Sequence, residues 1–225
     1  MKPMISTARV AVWAGLIVLI GALNAGAHAT GGAPGKRILY EYSTAIGGLI
    51  QYAVILSIVL VIAHKLDWIE VFALRRPPSL QAAAGWIVAA LAAIWALSYA
   101  IGRVLDAGKD QGLVPDHWEP KHAGAFAANF AVIVLVAPVV EELTFRGFGV
   151  SGLAGILGPT WVIVGVGIAF GVWHGLVIAF PVLAIFGAIL AVVRIRTASV
   201  YPSMVVHAIF NGVALIGAVA VGGSS

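Results

Sequence analysis

The chain has 225 residues, 61% hydrophobic and 10% charged, with a mean hydropathy of +1.05, whereas soluble domains carry about 25% charged residues; this is the composition of a polytopic membrane protein. Its net charge of +4 comes from 13 basic residues spread in short clusters, Lys36-Arg37, Arg75-Arg76 and Arg194-Ile195-Arg196, a pattern that suits loops facing anionic lipid and not a nucleic-acid surface. The absence of cysteine excludes disulfides, thiolate metal ligands and a cysteine nucleophile.

Crossing the hydrocarbon takes about 20 apolar residues, and candidate spans occur at 10–28, 44–63, 82–102, 124–145, 160–179, 182–196 and 201–221. They predict an all-α, polytopic membrane helix bundle of about seven transmembrane helices in a single integral membrane domain, residues 1–225. The first span admits two readings. Lys2 and Arg9 precede an apolar run, and "AHA" at 27–29 fits a signal-peptide cleavage site; the reading adopted is a first transmembrane helix with its basic end in the cytoplasm.

The connections are rich in turn formers: "TGGAPGKR" at 30–37, "HKLDWIEVFALRRPPS" at 64–79, "DAGKDQGLVPDHWEPKH" at 106–122, "LGP" at 157–159, "FP" at 180–181 and "RIRTAS" at 194–199. The second mixes apolar and basic residues and reads equally as an interfacial helix or a loop. Lys2, Arg9, Lys65, Arg75, Arg76, Arg194 and Arg196 fall on one side, against Lys36, Arg37, Arg103, Lys109 and Lys121 on the other. This slight bias predicts a cytoplasmic N-terminus. Gly167, Gly171 and Gly175 recur every four residues, a ridge that lets a neighbouring helix approach closely.

"VVEELTFRGF" at 139–148 breaks the apolar pattern: Glu141, Glu142 and Arg146 are the only Asp, Glu, Lys or Arg between Lys121 and Arg194. A charge at mid-bilayer costs about 2.5–3.5 kcal/mol on insertion scales, so it normally faces the bundle interior with a partner or a task. Glu142 and Arg146 share a helical face in the order favoured for an ion pair. Glu141 lies about 100° round the helix, which leaves that carboxylate free for chemistry.

Two further constellations lie in spans: "FGVWHG" puts Phe170 and His174 on one face, and "HAIFNG" does the same for His207 and Asn211. Singly, each can be an interhelical hydrogen bond. Counting from the "LGP" turn, Glu141 and His174 lie at similar depths, about 25 and 24 Å, and helix tilt can bring His207 and Asn211 into range. A carboxylate and an imidazole converging on one water can activate it, while a second imidazole and a carboxamide can donate to an oxyanion. That equipment suits amide hydrolysis. No H-E-x-x-H is present, and Asp67, Asp106, Asp110 and Asp116 all fall in connections. Ser151 in "GVSG" offers a weak serine-protease alternative that would leave Glu141 and His174 without a role. A non-enzymatic alternative is a transporter or immunity-type membrane protein relaying protons through buried Glu and His.

"EELTFR", "FGVWH" and "HAIFN" resemble E-E-x-x-x-R, F-x-x-x-H and H-x-x-x-N in the order and approximate spacing of the CPBP family, the CAAX proteases and bacteriocin-processing (Abi) enzymes. "ALRRPPS" also resembles a juxtamembrane feature of that family. The resemblance, which extends to the type 2 CAAX prenyl proteases, implies an intramembrane glutamate-type endopeptidase acting on membrane-associated, lipidated or leader peptides. By similarity, Glu141 with His174 activates the water, His207 with Asn211 forms the oxyanion hole, and Glu142, Arg146 and Phe170 give support. The same resemblance divides the chain into peripheral helices, 1–122, and catalytic core helices, 123–221, in a protein of the bacterial inner membrane. It implies a membrane-borne peptide or protein substrate and no cofactor, with a zinc-dependent variant held by Glu141, His174 and His207 as the alternative.

Overall fold

The computed structural model describes residues 5–31, 37–105 and 118–222. Most of the connections at 30–37 and 106–122, with Lys36, Asp106, Lys109, Asp110 and Asp116, lie outside the described residues, as do Lys2 and the side chain of Arg103.

Among the described residues the main helices are, in chain order, α1 (Thr7–Gly31), α2 (Tyr42–Ile62), the short α3 (Trp68–Phe72), α4 (Leu80–Leu105), α5 (Pro120–Leu153), α6 (Pro159–His174), α7 (Phe180–Thr197) and α8 (Tyr201–Gly222). No strand occurs among the described residues. Six of the helices, all except α3 and α6, contain stretches long and apolar enough to cross a membrane. The chain is therefore an integral membrane protein. Helix α6 has 16 residues and spans about 24 Å, less than the hydrocarbon thickness of about 30 Å.

The expected span 160–179 stops at His174 because Gly175 adopts a left-handed conformation, φ 66°. Glycine alone does so at no steric cost. A side chain there would strike the backbone of α1 at Gly21 and Ala25. Of the predicted glycine ridge, Gly167 and Gly171 instead face α7: a Cβ on Gly167 would lie 2.6 Å from the Ala184 carbonyl, and one on Gly171 would meet Phe180. From the α7 side, Gly187 returns the contact, its would-be Cβ 3.0 Å from Gly167 Cα.

The 64–79 connection does contain a helix. Asp67 caps α3 by accepting from the amides of Ile69 and Glu70, and Ala73 ends it with φ 50°. Val71 and Phe72 are buried while Trp68 and Ile69 are exposed, the division expected of a segment lying flat on a bundle. Hydrogen bonds gather helix ends at this face: Arg9 Nη1 donates to the carbonyls of Ile62 and His64, Ser151 Oγ to that of Val71, and Val200 N to that of Ala73. The N-terminal ends of α1 and α8 and the C-terminal ends of α2, α5 and α7 therefore lie together.

Helix α5, expected to end near 145, continues to Leu153 but is not regular. It holds two π-helical stretches, Val132–Val136 and Leu143–Gly149. Pro138 accounts for the first. It supplies no N–H and crowds the carbonyl of residue 134, and the helix answers by shifting register, with Ala137 N bonding the Val132 carbonyl. Helix α1 closes one side of the bundle, with Trp13 Nε1 donating to the Thr144 carbonyl at 3.0 Å and Asn24 Nδ2 to that of Trp173 at 2.8 Å.

Candidate active site

The register shift at Pro138 has a direct chemical result. The amide of Ala137 is taken by Val132, and the next partner in π register for the Ile133 carbonyl would be Pro138, which has no N–H. A carbonyl left unpaired inside a bundle is costly. Asn211 Nδ2 of α8 satisfies it at 2.9 Å. One of the two Asn211 N–H donors is thereby anchored and its partner hydrogen remains available.

Glu141 and Glu142, the last two residues of the α-helical stretch Ala137–Glu142 between the two π-helical stretches, are buried, 4% and 0% exposed. They have different surroundings. Glu142 Oε1 accepts from Arg146 Nη1 at 2.9 Å and from His207 Nδ1 at 3.0 Å. Arg146, fully buried, also donates from Nη2 to the Gly187 carbonyl at 2.9 Å and lies 4.6 Å over the Phe170 ring. Glu141 Oε1 accepts from the Tyr52 hydroxyl at 2.9 Å, and its Oε2 lies 3.8 Å from His207 Nε2. The Glu142–Arg146 pair is as the spacing predicts. His207 additionally stands between the two carboxylates, one ring nitrogen toward each.

His174 ends α6, and its Nδ1 lies 2.7 Å from the Phe170 carbonyl. A carbonyl only accepts, so Nδ1 carries the proton and Nε2 of the neutral ring is left as an acceptor. Phe170, 1% exposed, packs at 4.7 Å from the His174 ring and 5.8 Å from that of His207. It holds both imidazoles and the Arg146 guanidinium against one aromatic ring.

Glu141, His174, His207 and Asn211 all line one cavity of about 460 Å³. Its remaining wall is mostly apolar, with Ile94 and Leu97 of α4, Leu183 and Ile189 of α7, and Phe210 and Leu215 of α8. Asn24, His28, Gln51 and Tyr52 also line it, so α1, α2 and α4 form part of the wall. Tyr52 is a polar contact that the motif reading misses; its signal is the adjacent Gln51-Tyr52 pair halfway along an apolar span. Ser151 is outside the cavity lining, its hydroxyl donated to the Val71 carbonyl.

The residues were also tested for zinc. Three ligands must converge within about 2.0–2.2 Å of one point, but among the described residues no group of three His, Asp or Glu side chains is arranged to hold a metal ion. His207 Nδ1 is engaged by Glu142, which leaves Nε2 as its free ring nitrogen. As arranged, the described residues offer no three-ligand site for the metal.

Residues 123–213 match the family model described as Type II CAAX prenyl endopeptidase Rce1-like. The match begins at the first residue of α5 beyond its opening turn and ends within α8, so it contains all three motifs and excludes Tyr52. No curated protein and no solved structure gives a significant match.

Proposed function

We propose that the chain, whose residues 123–213 match the Type II CAAX prenyl endopeptidase Rce1-like family model, is an intramembrane endopeptidase in which Glu141 is the general base. The observation that carries this reading is the convergence of Glu141, His174, His207 and Asn211 from α5, α6 and α8 on one cavity. Tyr52 holds one oxygen of Glu141 and leaves the other for a water shared with His174 Nε2. Glu141 takes a proton from that water as its oxygen attacks the scissile carbonyl carbon. The oxyanion receives hydrogen bonds from Asn211 Nδ2 and from His207 Nε2, which donates when the ring carries both protons. Glu142 fixes that ring through Nδ1, and Arg146 neutralises Glu142. Proton return to the departing amine breaks the C–N bond and leaves a carboxylate and an amine.

The mostly apolar cavity wall suits a membrane-associated, lipidated or leader peptide. Reconstituted protein is expected to cleave such a peptide, and turnover should survive exhaustive chelation and Ser151→Ala. A chelator-sensitive activity restored by zinc would replace this mechanism by the metal-dependent one. Proton flux into liposomes without any cleavage would favour the transporter reading.

The basic residues Arg9, Lys65, Arg75, Arg76, Arg194 and Arg196 belong to the face where α1 begins, which the positive-inside rule assigns to the cytoplasm, in bacteria that of the inner membrane. The cavity extends the other way, to His28, Leu176 and Ala218. In this cysteine-free chain, a single cysteine at His28 should react with an impermeant thiol reagent from outside and one at Arg196 should not. The reverse pattern would invert the topology.

A further inference from the structure

Outside the cavity lining, the two connections richest in arginine are locked together. Val200 N donates to the Ala73 carbonyl at 3.2 Å and Arg75 Nε to that of Ala198 at 3.1 Å. Arg75-Arg76 is thereby fixed beside the end of α7, which carries Arg194 and Arg196. The acids on this face are already engaged: Glu70 takes Arg75 Nη1 on both oxygens at 2.8 Å, and Asp67 caps α3.

Arg194 is the exception to this pairing. It is 8% exposed, its Nε is buried without a partner, and among the described residues no hydrogen bond or ion pair reaches its guanidinium. A guanidinium has five N–H donors and no capacity to shed its proton, and burying it without an acceptor is unfavourable. Arg194 lies one turn before Ala198, on the same side of α7. The helix ends three residues later, so Arg194 sits about 5 Å inside that end. Exposed Arg196 lies 5.4 Å over the Trp86 ring of α4, and tryptophan is enriched at membrane–water interfaces.

We propose that Arg194, with Arg75 beside it and Arg196 adding charge to the same membrane surface, binds the phosphate of an anionic phospholipid. The guanidinium fork matches phosphate oxygens, and the surplus of cations on this face selects a headgroup with net negative charge over a zwitterionic one.

The test is the thermal unfolding midpoint of the full chain in a sugar-headed detergent, titrated with three probes. Dioleoylphosphatidylglycerol should raise the midpoint. Dioleoylglycerol, which has the chains without the phosphate, and inorganic phosphate, which has the anion without the chains, should not. Arg194→Gln should abolish the rise and Arg194→Lys should keep part of it. Should Arg194→Gln fail to fold, the exposed Arg196→Gln is expected to weaken the phosphatidylglycerol response about fivefold in half-saturating concentration, the effect of one surface cation. Equal shifts from dioleoylglycerol would overturn the proposal, as would an undiminished response in both variants. An equal shift from inorganic phosphate would reassign the site to a soluble anion and overturn the lipid.

Discussion

Glu141→Gln is expected to remove peptidase activity by about 10²–10⁴-fold, the range contributed by a positioned general base, while leaving the fold intact. The two expectations have separate grounds. Glutamine keeps the shape of the side chain and an Oε1 that still accepts the Tyr52 hydroxyl, so the hydrogen bond at 2.9 Å has a counterpart. The charge removed is not the one that neutralises Arg146, because that guanidinium is paired with Glu142. Only the capacity to take a proton from water is lost. Tyr52→Phe provides the graded comparison: one hydrogen bond to a charged acceptor disappears, worth about 1.5–3 kcal/mol, or about 10- to 100-fold in turnover if that bond is made fully in the transition state. Single-turnover cleavage of one membrane peptide by the three proteins, with circular dichroism on each, checks both. Turnover by Glu141→Gln within tenfold of the unmodified protein would remove Glu141 as the base.

How much of this arrangement is legible in the sequence depends on whether a contact is local. Glu142 to Arg146 and Phe170 to His174 are four apart on helices, and both contacts form as that spacing implies. The His207–Glu142 bond joins α8 to α5 across 65 positions; depth counting brings the groups close but does not decide which carboxylate takes which nitrogen. Asn211 shows a different limit. As a carboxamide near a histidine it reads as an oxyanion donor, yet one of its N–H groups is committed to the Ile133 carbonyl. The cause, Pro138, is visible in the sequence, but the π register that transmits its effect depends on how α5 absorbs the missing N–H. The glycine spacing of α6 correctly announces close packing. It does not distinguish Gly167, which admits α7, from Gly175, which ends the helix and admits α1. Tyr52 lies on a helix that the three motifs do not touch, and only the fold brings it to Glu141.

Arg146→Met is expected to destabilise the protein by about 3–5 kcal/mol, the effect of breaking a buried ion pair from one side. Methionine fills much of the same space, so the main loss is electrostatic. Glu142 is 0% exposed and receives Arg146 and His207 on the same oxygen, while its Oε2 has no hydrogen-bond partner. Without Arg146 a single imidazole must compensate an otherwise isolated carboxylate, and the Gly187 carbonyl on α7 loses its donor as well. A second substitution separates these causes. If charge compensation dominates, Arg146→Met combined with Glu142→Gln should be more stable than Arg146→Met alone, because the orphaned charge is gone. If instead the guanidinium acts chiefly as a brace between α5 and α7, through Gly187 and the Phe170 ring, the double variant should be no better than the single one. Unfolding midpoints of the four proteins in the cycle distinguish the two, and the sign of the coupling decides whether Arg146 serves the carboxylate or the helix pair.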